Sequence, residues 1–532
     1  MKVTRRCRES GIEMMTHDLL VSRTTRGLAA RIVNRGKKLH ASDTCMKDQV
    51  KICPSIVGFL PIAAHEVETA VPATPYQNQM YQASHSHAGR PYFATYLAEV
   101  RMNDSRNNVD VERFSQAWQS VVDRHPIMRT LFMVNPSNDT LYQIVLRGAQ
   151  ANITIQHVES DLSPVGQLLA DHVAFTQRFT TEPTGIMPAP AHEISLYQSR
   201  SGTVFLRMSL SHLLTDTVAL EHMFADMDAF YNRCLPERPT VDFVNYARWF
   251  KPDAVAANNK VWQEKILQQA RACFLLQPGS MPLSNPPQSI HEISLPFSIP
   301  SSQRKAMSDF CKAAQVTIPS LFSFCWALLL KRYTQQDSVC FGQLVAGRDA
   351  PVDGLEDIVG PVLGVLPISV DLSSSPDSLL ELIQQFQKAN SEATAYQPCS
   401  LKCIERLMGC SADRGLFNTI VNVRKVHYQG QELKARLERQ SLQFKLIEKH
   451  DASEVRSSQS YKMSAGNANR VPQYDLVLQV DEKEGNISGA LTFWNHQFEV
   501  DEVQALLEVY LSILNMVLRS LEATVAEVIS KL

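Results

Sequence analysis

The chain of 532 residues has no apolar run long enough to cross a bilayer, no C-x-x-C pair, no phosphate-cradling glycine loop and almost no net charge. Each absence removes a class of function. The longest apolar stretch, LFSFCWALLL from Leu321, is shorter than the roughly 20 residues a spanning helix needs and reads as a buried helix. A formal charge of -2 offers no overall field for nucleic acid or anionic membrane, although the N-terminal segment is locally basic. That segment carries Glu9, Glu13 and Asp18 and no apolar core follows its charges, so neither a secretory signal nor a transit peptide fits and a cytoplasmic location is expected. The 11 cysteines are scattered, with no histidine at zinc-ligand spacing. Cys399, Cys403 and Cys410 come closest and read as buried thiols of a helical segment; no metal is expected. GxxxxGK[ST] and adenylating signatures are missing too, so substrates must arrive already activated.

What is present is a folded, globular composition, 44% hydrophobic and 20% charged, on a chain too long for one ordinary core. Helix and strand patterns alternate in two halves. Phe114, Trp118, Val121 and Val122 form a helical stripe behind an Asp110 cap, and Pro126 of RHPIMRTLF ends that helix before a strand. The Pro/Ser-rich stretch Gln277 to Pro300 and the polar stretch His450 to Arg470 read as long surface loops. GRDAPVDGLEDIVGPVLGVLP reads as a structured loop and crossover.

The stretch RMSLSHLLTDTVALEHMF, Arg207 to Phe224, concentrates the chemistry. Val204, Leu206, Met208 and Leu210 alternate onto one strand face, which carries His212 to the strand end while Ser211 points the other way. Thr215, Asp216 and Thr217 are helix-cap residues, and Leu220, Met223, Phe224, Met227 and Phe230 continue as a helical stripe. An imidazole in such a turn can face a cleft while two rigid elements hold its backbone. Spacing alone does not single it out: HxxxD recurs at His157 and at His222, the latter on the predicted helix, where such residues make ordinary surface pairs. The plain alternative for His212 is a satisfied strand-end histidine.

Six segments in order, TPYQNQMY, RHPIMRTLF, SHLLTDT, VAGRDAPVDGLEDIVGPVLGVLPISV, GLFNTIVNVRK and QYDLVLQV, resemble the condensation domains of nonribosomal peptide synthetases, especially the fungal ones, from about Thr74 to the C-terminus. The resemblance implies an α/β fold: two chloramphenicol-acetyltransferase-like subdomains forming a V-shaped pseudo-dimer, with the active site in a tunnel between them and carrier domains docking at its ends. It divides the chain into lobes at 71–243 and 244–532. In the family's HHxxxDG motif the second histidine maps onto His212, the aspartate onto Asp216, the first histidine onto Ser211 and the glycine onto Thr217. SHxxxDx resembles the fungal terminal domains that release peptides by cyclisation, although a Ser or Thr common two residues later in that group is Ala219 here.

The implied reaction is attack by an amine, or less often a hydroxyl, on a carrier-bound aminoacyl or peptidyl thioester. His212 would accept or orient the proton, general-base help typically worth about 10²–10⁴-fold. Backbone N–H groups at the start of the following helix are candidate oxyanion donors. By resemblance Asp216 is structural, paired with an arginine for which Arg348 is the candidate; the alternative for Arg348 is a solvated loop charge. The lobes are expected to bind no cofactor themselves, phosphopantetheine being presented by a partner carrier domain; a small peptide or amino acid is the other partner, and nucleic acid and membrane are not expected. Residues 1–70 resemble a degenerate partial carrier domain, with Ser22 at the phosphopantetheine attachment position and Gly36 ending a helix. LLVS replaces the usual GGDS, so a relic of a larger synthetase or a misdrawn gene start is expected there, the plain alternative being a short amphipathic basic helix. Two further readings stay open: a CoA-dependent HxxxD acyltransferase, and a catalytically degenerate docking protein or remnant.

Overall fold

The computed structural model of the chain describes residues 62–86, 92–104, 108–137, 140–159, 165–180, 189–234, 242–275, 292–350, 354–373, 378–411, 414–425, 440–451, 474–483, 486–495, 497–520 and 522–531, with isolated positions, most of them before residue 30. Gly36, the stretch 277–291 and the stretch 452–470 lie outside the described residues.

In chain order, β1 (Val67–Pro72), α1 (Pro75–Ser86), β2 (Phe93–Met102), α2 (Val111–Arg124), β3 (Thr130–Asn135) and β4 (Thr140–Leu146) come first. They are followed by β5 (Ile153–Val158), α3 (Val165–Thr180), β6 (His192–Ser199), β7 (Val204–Ser211), α4 (Thr217–Tyr231), α5 (Phe243–Trp249) and α6 (Pro252–Val261). Next are β8 (Glu292–Ser298), α7 (Ser301–Ala314), α8 (Ile318–Thr334), β9 (Ser338–Ala346), β10 (Leu363–Asp371), α9 (Leu379–Ala393) and α10 (Leu401–Leu407). The chain closes with β11 (Thr419–Lys425), β12 (Leu442–Asp451), β13 (Leu476–Lys483), β14 (Asn486–Trp494), α11 (Val500–Arg519) and α12 (Val525–Ser530). The expected α/β class is what is found. A five-stranded sheet ordered β12-β2-β7-β6-β5 and a six-stranded sheet ordered β10-β9-β11-β13-β14-β8 organise the two lobes, with a three-stranded β1-β4-β3 sheet beside them.

Local chemistry explains the main supports. Asp110 caps α2 by accepting the Arg113 N–H, and Phe114, Trp118, Val121 and Val122 are buried. Pro126 ends that helix, but a short 3-10 turn, Pro126–Arg129, intervenes before β3 begins at Thr130. Thr317 caps α8, along which every residue from Leu321 to Leu330 is buried. At about 1.5–3 kcal/mol per large apolar side chain, that stripe is a principal source of the second lobe's stability. Its polar atoms are matched as well: the Trp326 indole donates to Thr419 Oγ1 at 3.1 Å, and Tyr510 Oη donates to the Phe322 carbonyl at 3.2 Å. No single helix among the described residues is long and apolar enough to cross a membrane.

Three expectations need correction. Pro-rich residues up to 300 are not all loop, because Glu292–Ser298 pairs with β14 as β8. GRDAPVDGLEDIVGPVLGVLP is not a crossover: β9 and β10 are antiparallel neighbours, and the segment is their long hairpin connection. His450 and Asp451 belong to β12, which lies in the first sheet, antiparallel to β2, despite its place late in the chain. Phe444 seats this crossing strand against Phe224 and Phe114, at ring-centroid distances of 4.8 and 6.4 Å. The Asp228 carboxylate of α4 accepts the backbone N–H groups of Ser441 and Leu442, both at 2.9 Å. Sheet membership therefore does not follow a single cut at 243/244.

Candidate functional site

The site is built where β7 stops. β7 is buried on both faces, since it lies between β2 and β6 in the sheet and under helices, and only Arg207 along it is partly exposed. Its last residue, Ser211, is 1% exposed; its Oγ accepts the Leu213 N–H at 3.2 Å and its carbonyl accepts the Leu214 N–H at 3.1 Å. These bonds curl the chain into a turn. His212 follows, 6% exposed, its backbone N–H donated to the Tyr92 carbonyl at 2.7 Å, so the imidazole is carried on a turn tied to the neighbouring strand entrance.

Asp216 begins α4 and is 2% exposed. Its Oδ1 accepts the Ala219 N–H at 2.8 Å, which caps the helix, and the carboxylate reaches the second lobe. There Arg348 Nη2 donates to Oδ1 at 2.8 Å and to Oδ2 at 3.0 Å, and the Val362 N–H adds a third donor at 3.1 Å. Arg348, itself 2% exposed, spends Nη1 on the carbonyls of Leu355 and Ile358 at 3.1 and 2.9 Å. It is not a solvated loop charge. One guanidinium thus holds the β9–β10 connection in shape and ties it to the turn that carries His212. With this many donors both charges are satisfied, and removal of either partner would strand the other, commonly at about 3–5 kcal/mol.

Gln77 has no role assigned from sequence, although its spacing from Thr74 is that of a capping box. The two exchange bonds, Thr74 N–H to Gln77 Oε1 at 3.0 Å and Gln77 N–H to Thr74 Oγ1 at 3.2 Å. Gln77 Nε2 then donates to the Leu213 carbonyl at 2.9 Å, fastening α1 to the residue after His212. His125 is a second unassigned position: Nε2 lies 3.0 Å from Asp226 Oδ2, which Arg124 Nε also reaches at 3.0 Å, pinning α2 to α4.

A cleft, partly open to solvent, runs between α1 and the second lobe. Tyr76, Gln79, Trp249, Leu363, Phe417 and Tyr474 are among its walls; His212 is not. Tyr76 connects the two places, because its phenol is driven above the ordinary range first by burial, then by Tyr474 of the cleft and by the Asp216 charge. Glu221, one turn into α4 and half-buried, is pushed up to about 7 by burial, with Asp216 adding and Arg348 opposing.

The other sequence candidates fall elsewhere. His157 is exposed on β5. His222 and Asp226 are not a surface pair: both are 5% exposed, and they face different partners, His222 Nε2 lying 3.1 Å from the Glu356 carbonyl. Burial, then Arg348, pushes the His222 imidazole down to about 4. Of the three cysteines, only Cys403 lies in a helix, and all three are half-buried free thiols. Among the described residues no His, Cys, Asp and Glu cluster could hold a metal. Ser22 donates its N–H to the Asp18 carbonyl at 3.0 Å. The Ala219 N–H, one of the expected oxyanion donors, is committed to Asp216.

A family model described as Condensation domain matches residues 67–530. The chain is similar to Nonribosomal peptide synthetase 8 of Aspergillus fumigatus, 26% identical over 432 residues covering 80% of this chain, and it spans only 5% of that relative's length. Its fold matches the X-domain solved in complex with OxyB from teicoplanin biosynthesis, with a TM-score of 0.65 at 17% identity over 88% of this chain and 98% of the other. It also matches the condensation domain of the Monacolin K polyketide synthase MokA, with a TM-score of 0.64 at 16% identity over 86% of this chain and 100% of the other.

Proposed function

Because the chain belongs to the condensation-domain family, we propose that it is an acyltransferase of nonribosomal peptide synthesis, forming an amide or ester from a thioester presented on the phosphopantetheine arm of a carrier domain. Residues 71–243 and 244–532 are the two lobes in this reading, with β12 returning to the first. Residues 1–70, with Ser22, are a carrier remnant without a working attachment site. The arm belongs to the partner, and the cleft between α1 and the second lobe is its route.

The observation that carries the reading is the His212 turn, closed from the other lobe by the buried Asp216–Arg348 pair. An amine or hydroxyl attacks the thioester carbonyl while its proton passes to the His212 imidazole. The C–S bond then breaks and the arm leaves as a thiol, taking the proton back. Ser211, Asp216 and Arg348 position the turn and stay out of the chemistry. Ser211 at the first-histidine position and Thr217 at the glycine position favour release by cyclisation, with the nucleophile on the same peptide as the thioester.

The test offers the full chain a panel of dipeptidyl thioesters loaded on a separate carrier domain, with mass spectrometry of released product. Cyclic dipeptide is the expected result. A linear product formed only with an added amine would replace cyclisation by intermolecular condensation. Turnover of free acyl-CoA alone would move the protein to the CoA-dependent class, and no product from any donor would favour a degenerate docking role.

A further inference from the structure

Attack on a thioester carbonyl puts negative charge on its oxygen, and that charge needs hydrogen-bond donors already in place. Two N–H groups at the start of α4 are already taken: that of Ala219 by the Asp216 carboxylate and that of Leu220 by the Asp216 carbonyl. Tyr92, bonded through its backbone to His212, offers a side-chain donor instead. Tyr92 accepts the His212 N–H at its own carbonyl at 2.7 Å, which fixes the two backbones against each other. Its φ is 71°, in the left-handed region that a bulky aromatic residue seldom occupies. The residue is 4% exposed, and its hydroxyl oxygen is buried without a hydrogen-bond partner, whereas buried tyrosine hydroxyls ordinarily find one. Tyr76 and Tyr474, close enough to act on its phenol, both wall the cleft. A strained backbone carrying a buried, unsatisfied hydroxyl next to two residues of the cleft is costly unless something arrives to accept that hydrogen bond.

We propose that Tyr92 is a catalytic hydrogen-bond donor to the thioester carbonyl oxygen, stabilising the oxyanion while His212 takes the proton of the nucleophile. Tyr92 keeps its own proton throughout, and no bond to it forms or breaks. Burial, followed by the neighbouring Tyr76 and Tyr474, holds the phenol well above the ordinary range, so it stays a donor across the working pH. This assignment rests on the acyl-transfer reading above.

Tyr92→Phe removes one oxygen that bonds nothing in the fold, so its melting temperature should match or exceed that of the unaltered chain. Its kcat on carrier-bound dipeptidyl thioesters should fall about 10²–10³-fold with KM little changed. A second measurement needs no turnover: calorimetric affinity for dipeptidyl pantetheine phosphonates, whose anionic tetrahedral centre mimics the oxyanion, should weaken at least ~10-fold. If the unaltered chain turns over and Tyr92→Phe keeps its rate, the Tyr92 proposal is overturned while the acyl-transfer reading stands. If the unaltered chain makes no product yet binds phosphonates in a Tyr92-dependent way, the donor site stands and the acyl-transfer reading falls. Absence of both turnover and phosphonate binding overturns both.

Discussion

His212 with Asp216, and His222 with Asp226, share one sequence spacing and lie within a few residues of each other, yet they do different work. In the first, the spacing straddles a strand end and a helix cap. Its aspartate is spent on the helix N-terminus and on Arg348 of the other lobe, leaving the histidine on a separate turn. In the second, both residues lie inside α4 and each is committed to packing: His222 to the Glu356 carbonyl across the lobes, Asp226 to His125 and Arg124 within its own lobe. Identical spacing acquires different chemistry from the backbone that carries it. A histidine at the junction of two elements sits on a turn held by its neighbours, whereas one in the middle of a buried helix is a structural contact.

That contrast can be broken by truncating the two aspartates in turn. Asp216→Ala leaves Arg348 buried and unpaired and should cost about 3–5 kcal/mol in denaturant unfolding. Asp226→Ala should cost less, about 1–3 kcal/mol, because Arg124, with 18% of its side chain exposed, can turn toward water. Equal losses would erase the distinction between the pair that joins the lobes and the one that joins two helices.

A smaller effect sharpens the electrostatics between them. Glu221 is pushed up to about 7 in the fold, above the ordinary 4.5. The folded chain therefore keeps a proton that the unfolded chain releases first, so this group's contribution is fully present below pH ~4.5 and is lost as pH rises through about 7. Glu221→Gln should raise the melting temperature relative to the unaltered chain at pH 8 and leave it level at pH 5. Taking the difference between the two chains removes the opposite trend of His192 and His222, each held near 4, whose contributions are lost as pH falls from 6.5. A gain of the same size at both pH values would contradict a titrating Glu221.

Much of this was legible locally. The Asp110 cap, the buried helix at Leu321–Leu330 and the strand-to-cap turn at His212 each depend on neighbours within a few positions, which sequence patterns encode. The Asp216–Arg348 pair was accessible only through the family resemblance, since nothing in spacing links residues 132 positions apart. β12 escaped for the same physical reason: its pairing of Leu442 with Met102 is non-local, and the alternation of Leu442 and Phe444 names a strand without naming its sheet. His222 and Asp226 read as a surface pair because helical periodicity assigns faces but does not say that a second lobe covers one of them. Tyr92 carries no motif at all; its interest comes from a backbone angle and an unmatched hydroxyl.

The central claim is that His212 is the proton acceptor on a turn whose stability lies elsewhere. Its most direct test is His212→Ala assayed for product from carrier-bound dipeptidyl thioesters beside its thermal melt. Product formation should fall at least ~10²-fold with the melting temperature little changed, since the turn is held by Ser211, Gln77 and the Asp216–Arg348 pair. Undiminished turnover by a folded His212→Ala protein would contradict the assignment and leave positioning as the catalytic device.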